Sequence, residues 1–328
     1  MDIKLSKWSK FFSFILAFLI LFYLINNIGL STFWSVLRTI PIEFFIITIL
    51  IYSLSWYTRT LRTKFLIPHD VNLSNLSLFK ILIAGYALNI LLPAKIGDLA
   101  SIGFLNLNGL AIDRSVVVIL QSRIMDAFGL LSTAIIPLML FSYMIPAWIN
   151  SILIIGIFIF VTPHLIILLD KKMNFHLIFN KILIIKSTAI ITKIVQQAQK
   201  CYITYYQVVR SKKQFALIAI SSIITWTLEG LTFYVLAVSL TPNITVVISI
   251  LAISIANLGK IVPATPGSIG IFETILSGTL IIFGIPPSIA ITIAIIDHLI
   301  KNVYIIIIGV PYASSFGFHL YENIKSNS

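Results

Sequence analysis

Charge is scarce in this chain and acid scarcer still: charged residues make up 10% of 328 positions, with 23 Lys and Arg against 11 Asp and Glu. The surface of a water-soluble domain carries about 25–35% charged residues, so lipid must cover much of this one. Cysteine is nearly absent. Cys201 alone excludes an intramolecular disulfide and a Cys-based zinc cluster, and is expected on the cytoplasmic side. A GxxxxGK[ST] phosphate loop is missing, which excludes ATP drive by a domain of this chain. HExxH and a Ser nucleophile elbow are missing too, and the five His residues are scattered. No catalytic constellation, metal site or cofactor is therefore expected.

What is abundant is apolar: 59% of the residues, in runs such as Phe11 to Ile25 and Ile152 to Leu169 that are hydrophobic on every side. The reading is an all-α, polytopic integral membrane bundle. Full spans are expected at about 11–28, 41–60, 114–141, 148–169, 214–240 and 286–315, each long enough for a hydrocarbon core of roughly 30 Å. The first run lacks a convincing cleavage site and reads as a retained span, not a signal peptide.

The net charge of +12 collects in the connections, which the positive-inside rule explains without nucleic acid. With Lys4, Lys7 and Lys10 in the cytoplasm, the chain returns inside at Arg59, Arg62 and Lys64 and again between Lys171 and Lys213. The opposite loops near 31–40, 142–147 and 241–243 contain only Arg38. Both termini are expected in the cytoplasm, with the protein in the cytoplasmic membrane. The basic stretch of about 171–213 reads as an amphipathic helix on the anionic inner leaflet, either a plain connector or a docking site.

Two apolar stretches, 78–108 and 244–284, are interrupted at Pro93-Ala-Lys95-Ile-Gly97 and at Pro263-Ala-Thr-Pro266-Gly267. The first divides into pieces too short to cross alone and suggests a re-entrant hairpin; the second offers longer pieces that leave full crossings open. A shift of 170 positions superposes Trp56 on Trp226, Pro93 on Pro263, Ala94 on Ala264 and Gly97 on Gly267. After five inserted residues Gly109 falls on Gly284 and Asp126 on Lys301. The pattern predicts one transmembrane domain of two repeats, at about 41–141 and 214–315. Their opposite orientation, with broken helices meeting near the midplane, is an arrangement common in secondary transporters.

Ionisable groups inside a membrane cost roughly 2.5–3.5 kcal/mol each and usually face a partner or a wet cavity. This chain has Lys95 and Asp98 at the first break, Arg123 and Asp126 on the next span, and Glu229 on the sixth. Lys260 and Glu273 flank the second break, and Asp297 and Lys301 lie on the last span. The pairs Arg123 and Asp126, and Asp297 and Lys301, each share a helical face and can neutralise themselves as structural glue. At the breaks the expectation is functional. A helix beginning after Gly97 beside Lys95, and another after Gly267 with Ser268 as cap and Gly270 allowing close approach, would suit a phosphate. Glu273 is either a proton-coupling carboxylate or a lock to Lys260 or Arg123, while His298 packs or hydrogen-bonds within its span.

The run Asn89-Ile-Leu-Leu-Pro93-Ala-Lys95-Ile-Gly97-Asp98, then Arg123-Ile-Met-Asp126, then Pro263-Ala-Thr-Pro266-Gly267-Ser268-Ile-Gly270-Ile-Phe-Glu273, resembles the transmembrane region of lysylphosphatidylglycerol synthases and the stand-alone flippase-like membrane proteins that share it. The likeness spans nearly the whole chain in motif order. Relatives carry Pro-x-Arg-x-Gly-Glu at the first break, where this chain has Pro93, Lys95, Gly97 and Asp98. Charge is kept while bidentate reach is lost. Ser268 replaces a second glycine. The resemblance implies translocation of an aminoacylated phospholipid or a related lipid, without the synthesising domain. Implied partners are membrane lipids and, on a rival reading as a non-transporting accessory subunit, a glycosyltransferase or lipid-modifying enzyme.

Overall fold

The computed structural model describes residues 19–67, 70–92, 95–147, 211–260 and 265–326, with a few isolated positions between 150 and 203. Every regular element among them is helical. Most of the expected span 148–169 and of the basic segment up to Arg210, together with Cys201, Pro93 and Pro263, lies outside these residues.

The elements are α1 (Leu19–Ile28), α2 (Leu30–Thr39), α3 (Ile42–Leu66), α4 (Asn75–Leu91), α5 (Ile96–Leu107) and α6 (Ile112–Phe141). After the basic segment come α7 (Lys212–Val238), α8 (Val246–Gly259), α9 (Ile271–Ile282) and α10 (Pro287–Ser326). Four helices are long and apolar enough to cross a membrane: α3, α6, α7 and the stretch Pro287–Gly317 of α10. They match the expected spans at 41–60, 114–141, 214–240 and 286–315. The expected loop at 31–40 is instead helix α2, bent 79° from α1 at Gly29, and the bent pair together supplies a fifth candidate.

The broken stretches yield short helices: 17 and 12 residues in α4 and α5, 14 and 12 in α8 and α9. At 1.5 Å per residue none reaches about 30 Å. The longer pieces expected at the second break are thus not formed.

Local chemistry sets these boundaries. Ser74 and Thr245 cap α4 and α8 by accepting the amides of Ser77 and Ile248 at 3.0 and 3.2 Å. α5 and α9 stop alike. Gly109 and Gly284 take positive φ, and the amides that follow, of Leu110 and Ile285, reach back to Leu105 and Leu280. This closure needs a left-handed residue, which glycine supplies without steric cost. The helix starts echo the offsets in the sequence. α3 and α7 begin 170 residues apart, while α5 and α9, like α6 and α10, begin 175 apart. The five extra residues therefore precede α9, as Pro266 to Gly270.

α3 packs along α7, α4 against α10, and α8 against α6, so that elements of the first half seat against the second. α3 shows how the polar centre arises. Tyr52, Trp56, Arg59 and Thr63, spaced by three or four, are buried, whereas Ile46, Leu50, Leu54 and Tyr57 line an exposed apolar flank suited to lipid. Two large apolar clusters pack beside this polar face, one around Phe233, Phe272 and Leu276, the other around Leu78, Phe104 and Met125.

Candidate functional site

Eight charged side chains, Asp98, Arg123, Asp126, Arg59, Arg62, Glu229, Lys301 and Asp297, form one connected path through both halves. Arg59 and Arg62, expected in a cytoplasmic connection, are instead 5% and 1% exposed, because α3 continues to Leu66 and turns both inward. Each donates from Nη1 to Asp126 Oδ1 at 2.8 Å. The other oxygen of Asp126 accepts from the Tyr86 hydroxyl at 3.2 Å and from Arg123 Nη1 at 3.3 Å. Arg123 was the partner expected for Asp126; it contributes, but Arg59 and Arg62 on another helix hold the carboxylate more closely.

Arg123 spends its Nε and Nη2 on Asp98, a two-pronged pair in which Asn89 also donates to Asp98 Oδ1 at 2.8 Å. From Arg59 the path crosses to α7, where Glu229 lies 3.4 Å from its Nη2. It then passes to α10, where Lys301 lies 3.3 Å from Glu229 and 2.9 Å from Asp297. The expected Asp297 and Lys301 pair is thus present, with Glu229 added. Leaving any of these charges buried and unpaired would cost several kcal/mol, which accounts for the partners each one has.

Glu273 locks to neither Lys260 nor Arg123. Its Oε1 lies 2.7 Å from His298 Nδ1, and its Oε2 accepts the Gly270 amide at 2.7 Å. Gly270 is therefore the residue from which α9 begins, and Ser268, in a left-handed turn at φ 57°, caps nothing. The helix expected after Gly267 starts four residues later, and its first turn is answered by its own carboxylate. Lys260 rests over the Phe272 ring at 3.9 Å.

At the first break Lys95 takes the left-handed conformation (φ 54°), is exposed, and immediately precedes α5. Gly97 thus falls inside the helix, where its absent side chain is required by contact: a Cβ there would lie 1.9 Å from the carbonyl oxygen of Gly85. The two breaks adjoin. The Pro266–Ser268 turn packs on α4, and a Cβ on Gly267 would meet Ile90 at 3.3 Å, one turn before the first break.

Of the residues singled out in the sequence, Lys95, Gly97, Asp98, Arg123 and Asp126 cluster at the ends of α4 and α5 and on α6. Pro266, Gly267, Ser268, Gly270 and Glu273 form the adjoining corner. Arg59, Arg62 and Tyr86 were missed. A signal was there for Arg59, which stands 170 residues before Glu229, the same shift that pairs Trp56 with Trp226. Among the described residues no group of three or more His, Cys, Asp or Glu could hold a metal ion.

A helical bundle with four to five apolar spans and a buried ion-pair path is a multi-pass integral membrane protein. The family model for the lysylphosphatidylglycerol synthase TM region matches residues 10–309, so the chain belongs to that family. Two curated relatives are similar over shorter stretches. A glycosyltransferase, AglD, of Haloferax volcanii is 30% identical over 123 residues, covering 36% of this chain and 20% of that protein. A UPF0104 membrane protein of Methanothermobacter thermautotrophicus is 26% identical over 110 residues, covering 34% of this chain and 33% of the relative. The matches thus span a fifth and a third of these relatives' lengths.

Proposed function

We propose that the chain is a lipid flippase-like transporter of the cytoplasmic membrane, with both termini cytoplasmic and two inverted repeats that each contain a re-entrant hairpin. Its cargo is a phospholipid, an aminoacyl-phospholipid or a polyprenyl-phosphate-linked lipid. The observation that carries the reading is the adjoining of the two breaks at the edge of a continuous buried ion path. A packed anchor has no need of such a path, whereas a headgroup crossing between leaflets needs polar partners along its way. Lys95 and the first turn of α5, which has no side-chain cap, receive the phosphate, and Asp98 and Glu273 meet a cationic group or protons. Acyl or isoprenoid chains stay in the bilayer.

Reconstituted vesicles with a fluorescent phospholipid test this. The wild-type chain is expected to accelerate exchange between leaflets and the Lys95→Ala, Glu273→Ala double variant to lose most of it. Equal rates for the two would remove the site. The similarity to a glycosyltransferase favours one alternative, a non-transporting accessory subunit of a glycosyltransferase or lipid-modifying enzyme. Obligate co-purification with such an enzyme, and no exchange by the chain alone, would select it.

A further inference from the structure

A small cavity lies in the first half, walled by Arg59, Arg62, Arg123, Tyr86, Ser101 and Ser122. Its free space of about 10 Å³ is roughly what one water needs. Three guanidiniums converge there, yet Arg59 Nε and Arg62 Nε are buried and have no hydrogen-bond partner. The connected path as a whole is balanced, Arg59, Arg62, Arg123 and Lys301 standing against Asp98, Asp126, Glu229 and Asp297, so a further anion enters only by taking the place of a carboxylate. Asp126, which does not itself line the cavity, shows what these side chains recognise: a single monoanion with two oxygens, accepting from three arginines and a tyrosine hydroxyl.

We infer that this arginine cavity is a binding site for a phosphate oxyanion, a lipid phosphodiester above all, which takes the guanidiniums in competition with Asp126. The inference rests on the transport reading for its lipid and moves the phosphate site inward from Lys95. A phosphodiester carries the same single charge and the same pair of free oxygens as the carboxylate, so the donors that hold one fit the other. Arg123 connects the cavity to the outside. Its side chain is 33% exposed and pairs with Asp98 on one side, while its Nη1 touches Tyr86 at 2.5 Å on the other. A phosphate entering past Lys95 would meet Arg123 first and then Arg59 and Arg62, and the cavity must widen to admit it.

Two native reporters flank the site, since the guanidinium of Arg59 lies 5.6 Å from the Trp56 ring and 5.5 Å from that of Trp226. The test is a tryptophan-fluorescence titration of the full chain in detergent. Its arms are dihexanoyl-phosphatidylglycerol, inorganic phosphate and sodium chloride at matched ionic strength, with thermal unfolding followed in parallel. Saturable binding of the short lipid is expected, absent with chloride. Binding of the lipid alone marks a headgroup site, and binding of both lipid and phosphate a general phosphate site. Arg62→Gln should weaken binding about tenfold or more, the loss expected for one charge-assisted hydrogen bond. Asp126→Asn removes the competitor and should bind several times tighter, with a larger ligand-induced rise in unfolding temperature than wild type.

If Arg62→Gln does not fold, Arg62→Lys and Asp126→Asn decide. No saturable response to either phosphate compound, or an Asp126→Asn chain that folds yet binds no tighter, overturns the inference. Binding at these arginines without lipid exchange sinks the transport reading and keeps the cavity; exchange without binding does the reverse.

Discussion

The polar centres of the two halves are built alike, with the signs of one pair exchanged. Arg59 and Asp126 pair in the first; 170 and 175 positions later stand Glu229 and Lys301, which pair in the second with the signs exchanged. Counted from the starts of α5 and α9, Asp98 corresponds to Glu273, and 175 positions separate their partners Arg123 and His298. The halves differ in access. Arg123 and Asp98 keep 33% and 20% of their side chains exposed, whereas Glu273, His298, Asp297 and Lys301 keep between 0% and 7%. The same frame thus gives one open centre and one closed centre, and the two touch where Arg59 meets Glu229.

The closed centre should be the costlier to break. Lys301→Met leaves Glu229 and Asp297 buried with only the longer contact to Arg59, and is expected to destabilise the fold by about 3–5 kcal/mol. Thermal unfolding in detergent checks this, and adding Glu229→Gln and Asp297→Asn to Lys301→Met should restore most of the loss. Arg123→Gln in the open centre should cost far less, roughly 1 kcal/mol after solvent screening. Equal losses for Lys301→Met and Arg123→Gln would erase the distinction between open and closed.

A second contrast is between two glycines. Gly97 lets α5 fold back onto α4, and a methyl group there would strike the backbone of Gly85 and Asn89. Gly97→Ala is expected to cost about 1–3 kcal/mol and, because Asn89 and Asp98 must separate, to disturb the Arg123 pair as well. Gly278, in the matching helix α9, has nothing within 4 Å of such a methyl. Gly278→Ala should be neutral or stabilise by about 0.5–1 kcal/mol through helix propensity. Chemical-denaturant unfolding of the two variants separates packing from propensity.

How much of this was legible in the sequence follows from the kind of signal each feature leaves. Long apolar runs identify α3, α6, α7 and α10 because a bilayer demands length and hydrophobicity alone. The Pro and Gly clusters located both breaks, since few residues other than these interrupt an apolar helix. The helix starts within the breaks were misjudged. Gly97 and Gly267 looked like the turning points, but Lys95 and Gly270 precede the helices, and Glu273 answers an amide that seemed free for a ligand. Arg59 and Arg62 were assigned to a connection because the positive-inside rule treats every arginine near a span end as solvated. Only tertiary contact reveals Asp126 and Glu229 waiting for them. Helix α2 was taken for a loop because its ten residues are too few and too polar to register as a span.

The smallest expected effect lies outside the path, at Asp70 and Arg114. They form an ion pair of 2.6 Å whose side chains are 61% and 44% exposed, the opposite extreme from Lys301. The hydrogen bond from Arg114 lowers the Asp70 carboxyl below its ordinary value. The sign of the linkage follows: a depressed carboxylate contributes stability above its unfolded pKa and loses it as pH falls through the folded one. Solvent screens so exposed a pair almost completely, however, and long side chains must be ordered to make it. Asp70→Asn should therefore leave the unfolding temperature unchanged within error at neutral pH, and should leave the acid limb of the stability profile where it was. A clear shift of that limb would mean that this pair, and not the buried centre, governs acid sensitivity, and the contrast between exposed and buried charge would have to be redrawn.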